Sequence, residues 1–75
     1  MIVNRLSRLM KNKGLSQKDV AVGAGLAINT VAGIYHDRIK RIDLETMDKI
    51  CAFLGASVGD IFQYEADDKN GSIQG

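Results

Sequence analysis

The sequence contains no proline and no tryptophan, and holds only one cysteine, one histidine, two phenylalanines and two tyrosines. Each shortage removes a class of protein. One cysteine closes no internal disulfide, so the chain is not a stapled secreted mini-protein. One His and one Cys cannot supply the four ligands of a structural zinc site. No apolar run approaches the length of a membrane span. The opening Met1-Ile2-Val3-Asn4-Arg5 leads straight into a charged amphipathic pattern and lacks the apolar stretch of a signal peptide. A soluble cytoplasmic protein is the expectation. With 75 residues, one domain is expected, and a domain this small buries only about 60% of the surface its unfolded chain exposes. Catalysis is not expected either. There is no His–carboxylate–nucleophile set, and Gly23-Ala24-Gly25 follows no strand, so it is not a phosphate-cradling loop. No cofactor, metal or small-molecule ligand is evident.

What is present is a charge asymmetry hidden by a net charge of +1. Residues 1–41 carry eight basic side chains (Arg5, Arg8, Lys11, Lys13, Lys18, Arg38, Lys40, Arg41) against Asp19 and Asp37, a balance of +6. Residues 42–75 carry Lys49 and Lys69 against seven acids, a balance of −5. A basic half of this kind points toward a polyanion partner.

Glycines and caps divide the chain. Leu6, Leu9 and Met10 repeat at helical spacing, predicting a helix over about 4–13 that Gly14 ends. Ser16 is placed to cap a second helix, about 17–24, with Asp19 near its positive end and Val20, Ala21 and Ala24 buried. Gly25 breaks it. A third helix, about 28–36, buries Val31 and Ile34 behind Leu26. After a charged loop, Asp43 is placed to cap a fourth helix, about 44–54, with an apolar stripe of Leu44, Met47, Ile50, Cys51 and Leu54. Ser57 heads a short last helix, about 58–62. Ile61-Phe62-Gln63-Tyr64-Glu65 alternates at strand period, and Met1-Ile2-Val3 tolerates extended backbone, so the two ends can pair as a small antiparallel ribbon. Residues 1–66 form the domain, and 67–75 read as a disordered tail.

The informative stretch is Gln17 to Ile34. Ala21 is small where two helices would cross, and Gly25 permits a steep turn. Val31 and Ile34 would anchor the second helix of the pair, leaving Ala27, Ile28, Asn29, Thr30, Ala32 and Gly33 outward. A helix held proud of the body with small and polar residues outward fits the major groove of a duplex.

This stretch resembles the helix-turn-helix of the Cro and phage-repressor (xenobiotic response element) family. Ser16-Gln17, Val20-Ala21, Gly25-Leu26 and Val31 fall on that family's pattern, and the flanking helices, including Asp43 to Phe62, are similar too. The resemblance spans about residues 4–63. It implies an all-α, five-helix lambda-repressor-like domain that binds double-stranded DNA sequence-specifically, usually as a homodimeric repressor on a palindromic operator. It implies further that Gln17 contacts a phosphate and braces the recognition helix. Ile28, Asn29 and Gly33 match base-facing positions, Ala27 the helix start, and Arg38, Lys40 and Arg41 the basic loop that tracks the backbone. Thr30 is placed to meet a phosphate or a base edge.

The chain departs from the pattern at the reading surface. Ala27 replaces the usual Ser or Thr cap, and Ile28 stands where a polar reader is common. Asn29 remains as the side chain suited to a bidentate contact, with adenine as its geometric match. Such a surface leans on methyl contacts, backbone contacts and DNA shape. A second reading, motivated by the −5 segment and the thin set of base readers, is an antitoxin-like or adaptor module whose main partner is a protein. Cys51 reads as core, and His36 as a helix C-terminal residue.

Overall fold

Asn4 marks the point at which the chain changes from strand to helix. In the computed structural model, which describes residues 1–66, strand β1 (Ile2–Asn4) precedes helix α1 (Leu6–Lys13). The Asn4 Oδ1 accepts from the Leu6 amide at 2.9 Å, and its Nδ2 donates 2.7 Å away to the carbonyl of Ile34. One side chain thus starts α1 and reaches a residue 30 positions on. The helix therefore begins two residues later than its periodicity predicts, because residues 2–4 are taken into the sheet.

Helices α2 (Gln17–Ala24), α3 (Ile28–Tyr35), α4 (Leu44–Leu54) and α5 (Val58–Ile61) follow, and strand β2 (Phe62–Tyr64) closes the described chain. The expected ribbon is present. β1 and β2 pair antiparallel with Ile2 opposite Tyr64, Val3 opposite Gln63 and Asn4 opposite Phe62. An isolated two-strand ribbon is marginal, and here both ends are tied down. The Arg5 amide donates to the Ile61 carbonyl at 2.7 Å, and its guanidinium reaches Gln63 Oε1 at 2.8 Å and Glu65 Oε2 at 2.9 Å. The segment expected as a tail, 67–75, lies outside the described residues.

Every helix contributes to one core. Leu6 and Met10 of α1, Val20 and Ala21 of α2, Val31 and Ile34 of α3, Met47, Ile50 and Leu54 of α4, and Ile61 of α5 are buried together. Among the described residues no polar or charged side chain is buried with them. Each large apolar member contributes on the order of 1.5–3 kcal/mol by leaving water.

Ser16 caps α2 as its sequence predicts. Its hydroxyl accepts from the Asp19 amide at 3.1 Å, and the Asp19 carboxylate accepts from the Ser16 amide at 2.9 Å. The Ser16 amide first, and then the Ser16 hydroxyl, hold the Asp19 carboxyl below its usual value. Asp43 precedes α4 as expected, and its carboxylate takes the Thr46 hydroxyl at 2.6 Å. That hydroxyl lowers the Asp43 pKa.

Burial departs from expectation at Ala24, which is half-buried, and at Leu44, Cys51 and Gly33. Leu44 is 87% exposed, because the first residue of α4 overhangs the end of the body. Cys51 is half-buried at the edge of the core. Phe53 is 39% exposed and lies across the backbone of Gly23 on α2, where an added Cβ would fall within 3.0 Å of three ring carbons. Gly33, expected on the outward face of α3, is buried.

Candidate nucleic-acid interface

The geometry of the α2–α3 pair follows from three small features. Ala21 is 5% exposed where the helices meet. Gly25 ends α2 with φ of 72°, a left-handed conformation that glycine takes at little cost. The next amide, of Leu26, returns to the Ala21 carbonyl at 2.8 Å. The turn is therefore closed by backbone bonds, and α3 leaves it anchored through Val31 and Ile34.

What α3 offers outward is narrower than its sequence predicts. Ala27, Ile28 and Asn29 are exposed, Ile28 at 47%. Thr30 and Ala32 are half-buried. Gly33 is covered by the loop that follows, and a Cβ added there would sit 3.0 Å from Ile39 Cγ2. The glycine makes room for Ile39 to fold back on the helix. Gly33 therefore leaves the exposed face, because its own backbone lies beneath another side chain. No side chain caps α3, in line with Ala27 at the cap position.

The loop after α3 is fixed at its start by backbone bonding. Asp37 adopts φ of 58°, the one positive φ outside glycine among the described residues. This lets the Arg38 amide reach back to the Gly33 carbonyl at 2.8 Å, while the Asp37 amide bonds Ile34 at 3.0 Å. Asp is among the few residues that enter this region readily. The Arg38 backbone is thereby held against the end of α3, and Arg38, Lys40 and Arg41 are all exposed. Ile42 turns back and packs on the core.

Gln17, the first residue of α2, is half-buried, and its Nε2 lies 3.4 Å from His36 Nε2 at the end of α3. The His36 ring also meets Tyr35 edge-on, with centroids 5.0 Å apart. The structure thus gathers Gln17, Ala27, Ile28, Asn29 and the loop cations around the α2–α3 unit, places Thr30 at its margin, and removes Gly33. The Asn4 bond to Ile34, the left-handed Asp37 and the Ile39 cover on Gly33 are not among the features expected from sequence. A signal exists only for Asp37, an Asp directly after a helix end.

A helix braced at its crossing and trailed by cations is a frame for DNA, and the sequence comparison decides the family. Residues 5–67 match the family model of the Cro/C1-type HTH DNA-binding domain. The chain belongs to this family. No curated protein matches it significantly. The Cro/C1-type match takes in all five helices and β2, while β1 lies outside it. The half of the ribbon that carries Asn4 therefore precedes the matched frame. As a Cro/C1-type domain the protein is a DNA-binding regulator acting on double-stranded DNA. Among the described residues no helix is long and apolar enough to cross a membrane.

Proposed function

We propose that this protein is a sequence-specific repressor that binds an approximately palindromic operator as a homodimer, with α3 of each copy in the major groove. The observation that carries the reading is the pairing of an outward Ile28–Asn29 edge with three exposed cations on a loop fixed to the same helix. Asn29 reads adenine through its amide, a contact worth roughly 1–3 kcal/mol of discrimination. Ile28 packs on a thymine methyl. Ala27, without a long side chain, lets the start of α3 approach the base edges closely. Gln17 holds a phosphate, and Thr30 meets a phosphate or the edge of the site. Arg38, Lys40 and Arg41 run along the backbone of the duplex. Two such heads on one face of DNA require half-sites about 34 Å apart. Repression follows from occupying DNA that polymerase needs.

Duplexes recovered from a random-sequence pool by the protein, then titrated by fluorescence anisotropy across a salt series, test this reading. The recovered duplexes are expected to share a palindrome and to outcompete random DNA. Each phosphate neutralised adds about −0.9 to the slope of log K against log salt. Equal affinity for recovered and random DNA at every salt would remove the claim of specificity. A promoter carrying the recovered site upstream of a reporter then reads the sign of regulation.

A further inference from the structure

Gly33 leaves a gap in the edge that α3 turns toward DNA, and the following loop fills it. Gly33 stands four residues after Asn29, one helical turn further along the same face. It has no side chain to offer, and its backbone is buried. Its cover is Ile39, whose Cγ2 would lie 3.0 Å from a Cβ at position 33. Ile39 is itself 37% exposed. We propose that Ile39 is a specificity-determining residue: carried on the loop, it stands in for the absent side chain at position 33 and reads a thymine methyl in the major groove. The inference rests on the operator reading above and adds one base position to it.

Three observations support this role. The first is the shared space. Carbon atoms pack at about 3.5–4.0 Å, so Ile39 occupies the volume that a side chain at position 33 would enter. Glycine is the poorest helix former after proline, and α3 accepts one where Ile39 needs the room. The second is rigidity. The Arg38 amide donates to the Gly33 carbonyl at 2.8 Å, so the residue before Ile39 is bonded to the residue that Ile39 covers. Ile39 is thereby carried with α3. The third is its setting. Ile39 lies between the exposed cations Arg38 and Lys40. Among the described residues the core takes in Ile42 and stops short of Ile39. A large apolar side chain held between two cations, beside the face of Asn29, suits the apolar mark of the major groove, which is the thymine methyl. Four residues of α3 span about 6 Å, or one to two base pairs at about 3.4 Å each. Each half-site therefore carries a thymine one or two base pairs from the adenine assigned to Asn29, in addition to the thymine under Ile28.

Duplexes recovered from the random pool, resynthesised with uracil in place of each thymine in turn, test the proposal. The exchange removes the methyl and leaves the pairing edge intact. With the parental protein, two thymines of each half-site are expected to show a penalty of about fourfold, the worth of one buried methyl. Ile39→Ala is expected to abolish the penalty at the thymine further along α3 and to keep the one under Ile28. Ile28→Ala is expected to do the reverse. Ile39→Val keeps a branched side chain against Gly33, and is expected to melt like the parent and to reduce the same penalty to about twofold. Ile39 also borders a groove shared with Ile2, so Ile2→Gln, across that groove, is expected to leave both penalties unchanged. Uracil penalties in Ile39→Ala that match the parental ones at every position overturn the proposal. So does loss of the same penalty in Ile2→Gln, or an Ile39→Val protein that melts like the parent and keeps the full fourfold penalty. If the parental protein prefers no duplex over random DNA, the operator reading falls and takes this inference with it. That outcome appears before any substitution is made, whereas failure of the Ile39 role alone appears in the uracil profiles of a protein that still prefers its operator.

Discussion

Replacing Gly23 by alanine sets two effects of opposite sign against each other. Gly23 lies inside α2, where alanine is favoured over glycine by about 1 kcal/mol. The opposing effect is steric. The new methyl would fall within 3.0 Å of Phe53 Cε1, Cζ and Cδ1, whereas carbon atoms pack at about 3.5–4.0 Å. The ring has to swing off the helix. Phe53 is 39% exposed, so most of its surface is covered and is at risk. On a scale of up to about 3 kcal/mol for full burial of such a side chain, the loss is roughly 1.5–2 kcal/mol. Displacement from a rotamer well adds about 0.5–1 kcal/mol. The net expectation for Gly23→Ala is a destabilisation of about 1–2 kcal/mol, with each kcal/mol lowering the melting temperature by roughly 4–8 °C at this chain length. In a Phe53→Ala background the obstacle is absent, and the same substitution is expected to stabilise by about 1 kcal/mol. Thermal melts of the four proteins in the cycle therefore carry a change of sign. If Gly23→Ala raises the melting temperature with Phe53 in place, or acts with one sign in both backgrounds, the ring does not lie on α2 as described.

The remaining predictions concern the interface and its caps. Asn29→Ala is expected to relax preference at one base position, at a cost of about 1–3 kcal/mol against the matched duplex. Arg38→Ala and Arg41→Ala are expected instead to weaken all duplexes alike and to reduce the salt slope by about 0.9 for each phosphate no longer neutralised, read by competition binding across salt. Asp37→Val places a β-branched residue at φ of 58° and is expected to cost roughly 1–2 kcal/mol in urea melts. Asp37→Asn keeps the conformation while removing a negative charge beside the loop cations, and is expected to raise affinity for every duplex. The Asp19 carboxyl is lowered from 3.8 by the Ser16 amide and hydroxyl, and that of Asp43 by the Thr46 hydroxyl. A lowered folded-state value gives stability that is present above about pH 4 and is lost as pH falls through the folded value. Melting temperature is expected to be flat from these groups between pH 7 and 5 and to drop below 4. Asp19→Asn and Asp43→Asn are each expected to shallow that acid limb.

Much of this fold is legible in the sequence because its signals are local. Ser16 with Asp19, and Gly14 and Gly25 after apolar repeats, fix helix ends within three or four residues of themselves. The alternation at 61–65 announces β2 for the same reason. Legibility ends where a residue's surroundings come from a distant part of the chain. Position 44 belongs to the apolar stripe by spacing, yet the body ends before reaching it. Gly33 looks outward on a helical wheel and is covered because Ile39 returns over it. The glycine at position 23 looks like a lapse in helix propensity, and its use emerges only when α4 brings Phe53 across. At the interface, the order of residues along α2 and α3 indicates the crossing and the outward edge. It does not reveal the 3.4 Å approach of Gln17 to His36, which joins opposite ends of the pair.

The Asn4 bond to the Ile34 carbonyl has a consequence for the order of folding. A helix as short as α3 does not persist alone in water, and the Ile34 carbonyl, which already accepts the Asp37 amide, takes a second donor from the other end of the sequence. That second bond forms only after a loop of 30 residues has closed, and closing such loops is the slow, entropically costly part of assembling a small domain. The reading head and the first strand thus belong to one cooperative unit, in which fraying of the ribbon loosens α3 at the end that carries the basic loop.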